Sequence, residues 1–315
     1  MGRTSVVARD FEPAYLRLLA SDELDDRARI ASRHLESCDL CARYCQANRK
    51  ESIREAVCRT GERARVDAAF AHFGEEGCLT GWAGSGTIFF SWCNLRCVYC
   101  QNWELSWGGA GREVSPEDLA GMMLSLQRQG CHNVNLVSPS HVVAPVLAAL
   151  AIAARQGLWL PLVYNSGGYD SPEALALLDG VVDIYMPDMK YADPDVARRY
   201  SRARDYVAVN RGAVREMHRQ VGDLVLDADG IAQRGLLVRH LVLPNGLSGT
   251  EEVLRFISEE ISPDTYVNLM AQYRPCFRAF EHEELAKRPT PAELREARDA
   301  ARRLGLRRLD PSSAR

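Results

Sequence analysis

Short runs of β-branched, aliphatic and aromatic residues alternate with helical stretches from residue 86 onward, and this alternation most limits how the chain can fold. It predicts strands at residues 87–91, 133–138, 160–165, 181–187, 236–243 and 265–270. The runs are apolar almost throughout, as in parallel strands that are buried on both faces. Because parallel strands joined by helices connect through right-handed crossovers, six such units predict an α/β chain with a partial (β/α)6 barrel.

Local signals mark further elements around this barrel. Ser115 and Asp118 predict a capped helix start, and Asp229 with Gly230 predicts the turn of a small hairpin before the fifth strand. Residues 291–304 have the pattern of one amphipathic helix. The predicted domains are a Cys-rich, mainly helical N-terminal extension without strands (1–80), a TIM-like partial barrel (81–275) and a C-terminal helical segment (276–315).

Composition excludes several classes of protein. With 315 residues and 46% apolar content, the chain can bury a large core. A formal net charge of -3 without any Lys/Arg-rich tract argues against a nucleic-acid partner. The longest apolar run, residues 144–154, is too short to cross a bilayer, and residues 1–10 lack the apolar segment of a signal peptide. These features predict a cytoplasmic protein.

Three cysteines follow the first predicted strand closely. Cys93, Cys97 and Cys100 have C-x3-C-x2-C spacing, so a single loop can wrap three corners of one iron-sulfur cube. Thiolates are the ligands of Fe-S clusters, and most cubes use four, so three leave one iron without a protein ligand. The alternative is a zinc site or buried thiols, although zinc sites usually have four ligands, or three with a water.

The segment that contains these cysteines, GTIFFSWCNLRCVYCQN at residues 86–102, resembles the radical S-adenosylmethionine (SAM) superfamily. Within it, the similarity is to homologues of pyruvate formate-lyase activating enzyme, in an uncharacterised Fe-S branch with a Cys-rich N-terminal extension, and extends over residues 84–273. The resemblance implies a catalytic 4Fe-4S cluster on Cys93, Cys97 and Cys100 that cleaves SAM to methionine and a 5'-deoxyadenosyl radical. It also implies an electron donor such as flavodoxin or ferredoxin.

The same resemblance assigns roles to residues of the barrel. Tyr99 would contact the adenine of SAM, unless it only packs in the loop. Lys190, in an Asp-x-Lys segment with Asp188, would pair with the methionine carboxylate. Arg239 would offer that carboxylate a bidentate fork. Since Arg239 and His240 alternate on one strand, only one faces the barrel interior, and we favour Arg239; an ordinary surface or core pair is the alternative.

Other positions depart from the family pattern. The glycine-glycine-glutamate segment that holds the SAM amino group is replaced by residues 137–141, where backbone carbonyls around Ser138 would accept that hydrogen bond. The third strand ends without the family's aspartate, and Asn165 and Ser166 would meet the ribose instead. After the sixth strand, Gln272 or Tyr273 stands where the family has a histidine and would line the site.

A second group of cysteines precedes the barrel. Cys38, Cys41, Cys45 and Cys58 form a C-x2-C-x3-C-x12-C array, here called the N-terminal array. Four thiolates can close a site completely, so the array predicts a structural zinc or a second Fe-S cluster, with unligated and partly buried thiols as the alternative.

Three functions are compatible with these features. The first is activation of a glycyl-radical-type partner protein by hydrogen abstraction, as the resemblance implies. The second directs the same SAM chemistry at a small molecule or peptide, because the N-terminal extension is long and the SAM-amino segment is altered. The third is a non-catalytic Fe-S or zinc protein that uses both cysteine groups structurally.

Overall fold

The computed structural model describes residues 11–314, so residues 1–10, on which the signal-peptide prediction depends, lie outside it. The helices α1 to α11 are, in chain order, Tyr15–Ala20, Glu23–His34, Gly77–Thr80, Trp103–Ser106, Pro116–Arg128, Val143–Arg155, Pro172–Leu178, Pro194–Ser201, Tyr206–Val221, Thr250–Phe256 and Pro291–Arg303. The predicted helix start at Ser115 is confirmed, because its side chain accepts from the Asp118 backbone N–H in a capping box. The predicted C-terminal helix corresponds to α11.

One mainly parallel sheet organises the chain. The strands β1 to β10 are Ala64–His72, Ser85–Phe90, Arg112–Val114, Val134–Val137, Leu162–Ser166, Ile184–Pro187, Val225–Leu226, Ala232–Leu241, Tyr266–Met270 and Arg308–Leu309. The six predicted strands correspond to β2, β4, β5, β6, β8 and β9, which pair in parallel in that order. The predicted α/β class and partial barrel are therefore confirmed.

The expectation that no strand precedes residue 80 is wrong. Strand β1 pairs antiparallel with β2 over most of its length and with the short β3 on its other side. Its sequence, ARVDAAFAH, is rich in alanine, which favours helices in isolation, and most of its side chains are only partly buried. Pairing with β2 overrides this weak local preference.

Two short strands complete the sheet. Strand β7 pairs antiparallel with β8, which confirms the hairpin predicted from Asp229 and Gly230. Strand β10, which sequence reasoning did not predict, adds in parallel to β9 and brings the C-terminal tail to the edge of the barrel. No segment of two residues carries enough periodicity to be predicted alone.

The half of the barrel interior away from its open end is filled by a short segment of the chain that includes helix α3. Helix α3 inserts Cys78 and Leu79 among inward-facing side chains of β5, β6 and β8. We call residues 75–80 the plug. Because the plug fills this half of the interior, Glu75 and Glu76 at its start lie beneath the open end of the barrel.

The N-terminal helices pack against the outside of the barrel. Helices α1 and α2 contact α6, and the Ala14 N–H donates to the buried Asp183 carboxylate at 2.8 Å. The Tyr15 hydroxyl donates to the Leu160 carbonyl at 2.9 Å. Within residues 11–314, no helix has both the length and the apolar character needed to cross a membrane.

Candidate functional site

The carboxyl ends of the parallel strands surround a cavity of about 740 Å³. Parallel β/α folds bind ligands at this end, because the loops that follow the strands meet there. The cavity is lined by each of the predicted site residues of the barrel: Cys93, Cys97, Tyr99, Cys100, Ser138, Asn165, Ser166, Asp188, Lys190, Arg239 and Gln272. Residues from six strands thus come together although they span 180 positions of sequence, from 93 to 272.

The sulfur atoms of the cysteine loop, residues 93–100, accept hydrogen bonds from fixed donors. The Ser201 hydroxyl donates to Cys97 Sγ at 2.9 Å, and the Ser106 hydroxyl donates to Cys100 Sγ at 3.2 Å. The Leu95 backbone N–H donates to Cys93 Sγ at 3.4 Å. Such bonds orient thiolate ligands and tune the cluster that they hold. The donor set therefore fits an iron-sulfur cluster.

Burial favours the protonated form of two of these thiols, Cys97 and Cys100. Burial raises the pKa of Cys97, which Lys190 and Ser201 oppose, and burial raises the pKa of Cys100 to about 12. Metal binding therefore has to displace protons. Within the described range no three His, Cys, Asp or Glu side chains converge on one point as ligands of a single ion do. Cluster ligands instead bind different irons.

Tyr99 is held on the cavity wall by other aromatic residues. Its hydroxyl donates to the Tyr191 hydroxyl at 2.6 Å, and its ring meets Tyr191 and Tyr273 edge to face. Cys276, which has no partner nearby in sequence, donates its S–H to the Tyr99 carbonyl at 3.3 Å and also contacts the Cys100 carbonyl. The contact of Tyr99 with adenine stays a prediction.

Lys190 is a partly buried cation next to the cysteine loop. Its Nζ lies 2.5 Å from Asp188 Oδ2. Burial opposes the charge on Lys190, but Asp188 and Cys97 outweigh it and raise the pKa well above its usual range. The Tyr206 hydroxyl accepts from the Lys190 backbone N–H and fixes this segment. Lys190 therefore stays cationic, as binding of a carboxylate requires.

Arg239 faces the cavity, whereas His240 faces the surrounding helices. The Arg239 guanidinium binds Glu76 through Nε at 2.7 Å and Nη2 at 2.5 Å, and Nη2 also contacts Glu75. Asn268 donates to the same Glu76 at 2.7 Å. Burial opposes ionisation of Glu76, but Arg239 outweighs it and lowers the pKa. The Arg239 guanidinium, which was expected to bind the carboxylate of SAM, thus binds two carboxylates of the plug.

The remaining predicted residues are held mainly by backbone contacts. Ser138 adopts a left-handed conformation (φ 59°), and its N–H donates to the Asn165 carbonyl at 2.9 Å. The Ser166 hydroxyl donates to the buried Asp170 at 2.7 Å. Gln272 accepts from Gln101 through its backbone carbonyl at 3.3 Å. Their contacts with SAM stay predictions.

Sequence reasoning missed the residues that form the cavity floor. These residues come from the plug, β9 and the C-terminal tail: Glu75, Glu76, Asn268, Asp310 and Ser312. The only sequence feature that pointed to this floor was the adjacent pair Glu75 and Glu76, to which no role could be assigned. Contacts between residues 163 positions apart, such as Glu76 with Arg239, leave no local pattern in the sequence.

The N-terminal array surrounds a buried guanidinium. Arg49 is 3% exposed and donates to Cys38 Sγ at 3.4 Å. Burial opposes its charge, but Cys58 and Cys38 outweigh it and raise its pKa. The hydrogen bond between Cys38 and Cys45 lowers the pKa of Cys45 and raises that of Cys38. The four thiols of the array thus influence one another around one cation.

Two arginines connect the segment of the array to the cysteine loop and its surroundings. Arg43 donates to the carbonyls of Asn94 at 2.6 Å and Leu95 at 3.0 Å. Arg49 donates to the His141 carbonyl at 2.8 Å, and the His141 ring donates to the Ser91 carbonyl at 2.9 Å. The segment that contains the array is therefore hydrogen-bonded to the cysteine loop through Arg43, and through Arg49 and His141 it is connected to Ser91.

Comparisons with known proteins found a family model, a similar sequence and a similar structure. Residues 87–220 match the family model of the radical SAM superfamily. The uncharacterized protein MJ0674 of Methanocaldococcus jannaschii is 30% identical over 293 residues, which cover 90% of this chain and 79% of that protein. The crystal structure of methylornithine synthase (PylB) aligns with a TM-score of 0.46 and 16% identity, over 95% of this chain and 75% of that one. With three cysteines of the family's spacing on the cavity wall, the chain belongs to the radical SAM superfamily.

Proposed function

We propose that this chain cleaves SAM reductively in the barrel cavity and abstracts hydrogen from a substrate bound above the plug. The observation that carries the proposal is the convergence of three thiols, each with a fixed hydrogen-bond donor, on the same cavity as Lys190 and Tyr99. When bound, a 4Fe-4S cluster supplies one electron to the sulfonium of SAM, which yields methionine and a 5'-deoxyadenosyl radical.

The residues of the chain bind and orient the reactants. Cys93, Cys97 and Cys100 would hold the cluster, and Lys190 would pair with the methionine carboxylate of SAM. Tyr99 would contact the adenine. The plug excludes water from below, which protects a reactive species from side reactions.

The cavity floor favours a small polar substrate or a peptide side chain. Glu75 and Glu76 together face the single guanidinium of Arg239, so the floor has an excess of acceptor oxygens. Pockets for small ligands combine an enclosed shape with a few such convergent polar groups. A substrate with amino or hydroxyl donors would complement this floor.

A glycyl-radical-type partner protein is the second candidate. It is supported by the likeness of the cysteine loop and the Asp188-x-Lys190 segment to those of activating enzymes. In that case a glycine of the partner would have to reach the cavity. Transfer of deuterium from labelled substrate into 5'-deoxyadenosine separates the two candidates, because the label comes from a glycine in one and from a metabolite in the other.

The proposal is tested with anaerobically reconstituted protein, a reductant and SAM. Wild type is expected to release 5'-deoxyadenosine, and Cys97→Ala is expected to abolish release. Cys131→Ala, which replaces a buried thiol of the core, is the matched control and should retain activity. A fully loaded protein that releases no 5'-deoxyadenosine, and whose cluster spectrum does not change when SAM is added, would support a non-catalytic role instead.

We further propose that the N-terminal array binds a second metal centre. An Fe-S cluster is favoured over zinc, because within the described residues no three His, Cys, Asp or Glu side chains converge as the ligands of one ion do. Four mutually interacting thiols around Arg49 support it. Metal analysis of anaerobic protein should detect one centre more than the cysteine loop can hold. Cys41→Ala should remove that centre, and Cys131→Ala should not; equal metal content in Cys41→Ala and wild type would contradict the proposal.

A further inference from the structure

Arginines converge on the outer side of the cysteine loop. A second cavity of about 490 Å³ lies between this loop and residues 54–59, which surround the last cysteine of the N-terminal array. We call its five arginines the arginine surface: Arg43, Arg54, Arg59, Arg96 and Arg202. Trp107 forms part of the wall, and the lining includes one acid, Glu55.

The charge of this surface is not balanced within the chain. Across residues 11–314, none of the five arginines forms an ion pair with an aspartate or glutamate. All five side chains line one cavity. Like charges held this close repel one another, so an anionic partner would stabilise the arrangement.

Three of the five arginines lie at strained backbone positions. Arg59, Arg96 and Arg202 have positive φ angles of 50°, 57° and 53°. A residue other than glycine is strained in this left-handed conformation, and strain of this kind concentrates at functional sites. In addition, Arg96 Nε is buried without a hydrogen-bond partner among the described residues.

The arginine surface is next to the predicted cluster ligands. Arg96 lies between Cys93 and Cys97 in the loop, and its guanidinium is 4.6 Å from the Trp107 ring centroid. The Trp107 indole N–H donates to the Cys97 carbonyl at 3.1 Å. A protein bound here would therefore be separated from Cys97 by one side chain.

Exposed apolar groups border the arginines, as expected of a surface that binds protein. Ile53 is 48% exposed and Val57 is 36% exposed, and the Val57 carbonyl accepts from Arg96 at 3.1 Å. Trp103, 38% exposed, stacks on Phe277, whose ring also contacts Trp107. Arginine and aromatic residues are enriched in protein interfaces, and small charged interfaces are typical of transient electron-transfer complexes.

We propose that the arginine surface is the docking site of an acidic electron-donor protein. The proposal rests on the proposed function, because SAM cleavage consumes one electron that has to come from outside the chain. A donor of opposite charge would be steered to this surface and would arrive at the back of the cysteine loop, away from the SAM cavity. Charge complementarity favours such a partner over a neutral one.

The test compares two reductants on the reconstituted full-length protein. Arg54→Glu/Arg202→Glu reverses two exposed charges that hold no predicted ligand, and Arg128→Glu/Arg288→Glu is the matched control elsewhere on the surface. With a reduced acidic flavodoxin at low salt, the first variant should release 5'-deoxyadenosine about tenfold more slowly or worse, and the control at the wild-type rate. With photoreduced deazaflavin, a neutral small reductant, all three proteins should react alike.

Direct binding provides a readout that does not depend on activity. Titration calorimetry should give a flavodoxin Kd that weakens with salt in wild type and is weaker by about tenfold in Arg54→Glu/Arg202→Glu. Equal binding in both would overturn the proposal, as would an equal loss of rate with both reductants. Binding of pyrophosphate but not flavodoxin would make this a small-anion site and would also overturn it. Failure of wild type with deazaflavin would instead contradict the proposed function.

Discussion

Arg239 and His240 are neighbours on one strand, and their surroundings separate their roles. Arg239 points into the cavity and is held by two glutamates. His240 points to the helices and is fully buried; its ring donates to the Met189 carbonyl at 2.7 Å and contacts the Thr250 hydroxyl at 2.9 Å. Burial lowers the pKa of His240 to about 4. Strand alternation thus puts a permanent cation inside the barrel and a neutral imidazole outside it.

The buried imidazole predicts a loss of stability in acid. An unfolded histidine titrates near 6.5, so the folded protein binds fewer protons at any pH between about 4 and about 6.5. Stability from His240 is therefore present above 6.5 and is lost as the pH falls through this window. From pH 7 to pH 5, wild type should lose about 2 kcal/mol more unfolding free energy than His240→Asn.

Denaturant unfolding of anaerobic protein at the two pH values measures this difference. His282→Asn, at a half-buried position in the C-terminal segment, is the control and should follow wild type. If His240→Asn also follows wild type, the imidazole is charged in the folded state and the prediction is wrong.

The plug is the element whose position could least be predicted from the sequence. It is a four-residue helix preceded by two glutamates, and it stands between a strand of the extension and the first strand of the barrel. Nothing in so short a segment indicates that it turns into the barrel. Its apolar side chains are buried only because β5, β6 and β8 surround them.

Leu79 should be the main anchor of the plug. It is fully buried, so Leu79→Ala removes apolar contacts and leaves a cavity that the rigid barrel cannot close. We expect a loss of about 2–5 kcal/mol of unfolding free energy, measured by denaturant titration. Val225→Ala, at a side chain on the hairpin strand β7 that is 53% exposed, should change stability by about 0.5 kcal/mol or less. Equal effects of both substitutions would exclude the anchoring role.

Across the whole molecule, the features that could be predicted from the sequence are those marked by local patterns of residues. The six parallel strands and the capped helix at Ser115 follow from periodicity and caps, and the cysteine loop follows from its spacing. The contacts that connect distant segments could not be predicted, because Arg43 with the cysteine loop and Arg239 with the plug depend on the folded arrangement. Strand β1 was missed because its alanines favour another conformation.

The connection between the array and the cysteine loop predicts a shared local stability. Arg43→Ala removes donors to carbonyls of Asn94, Leu95 and Ser201, each at 3.0 Å or less. The amides of residues 93–100 should then exchange hydrogen about tenfold faster, because the loop opens without unfolding of the barrel. Hydrogen exchange measured by mass spectrometry tests this, with Arg33→Ala in α2 as the control. Unchanged exchange in Arg43→Ala would mean that the loop is held without the extension.

The plug also limits how substrate and SAM can enter the barrel cavity. Because the plug fills one end of the barrel interior, ligands that enter from the open end would bind in order of depth. A substrate that sits on the glutamate floor would have to enter before SAM closes over it, and its product would wait for methionine and 5'-deoxyadenosine to depart. Binding and release would then follow a fixed order.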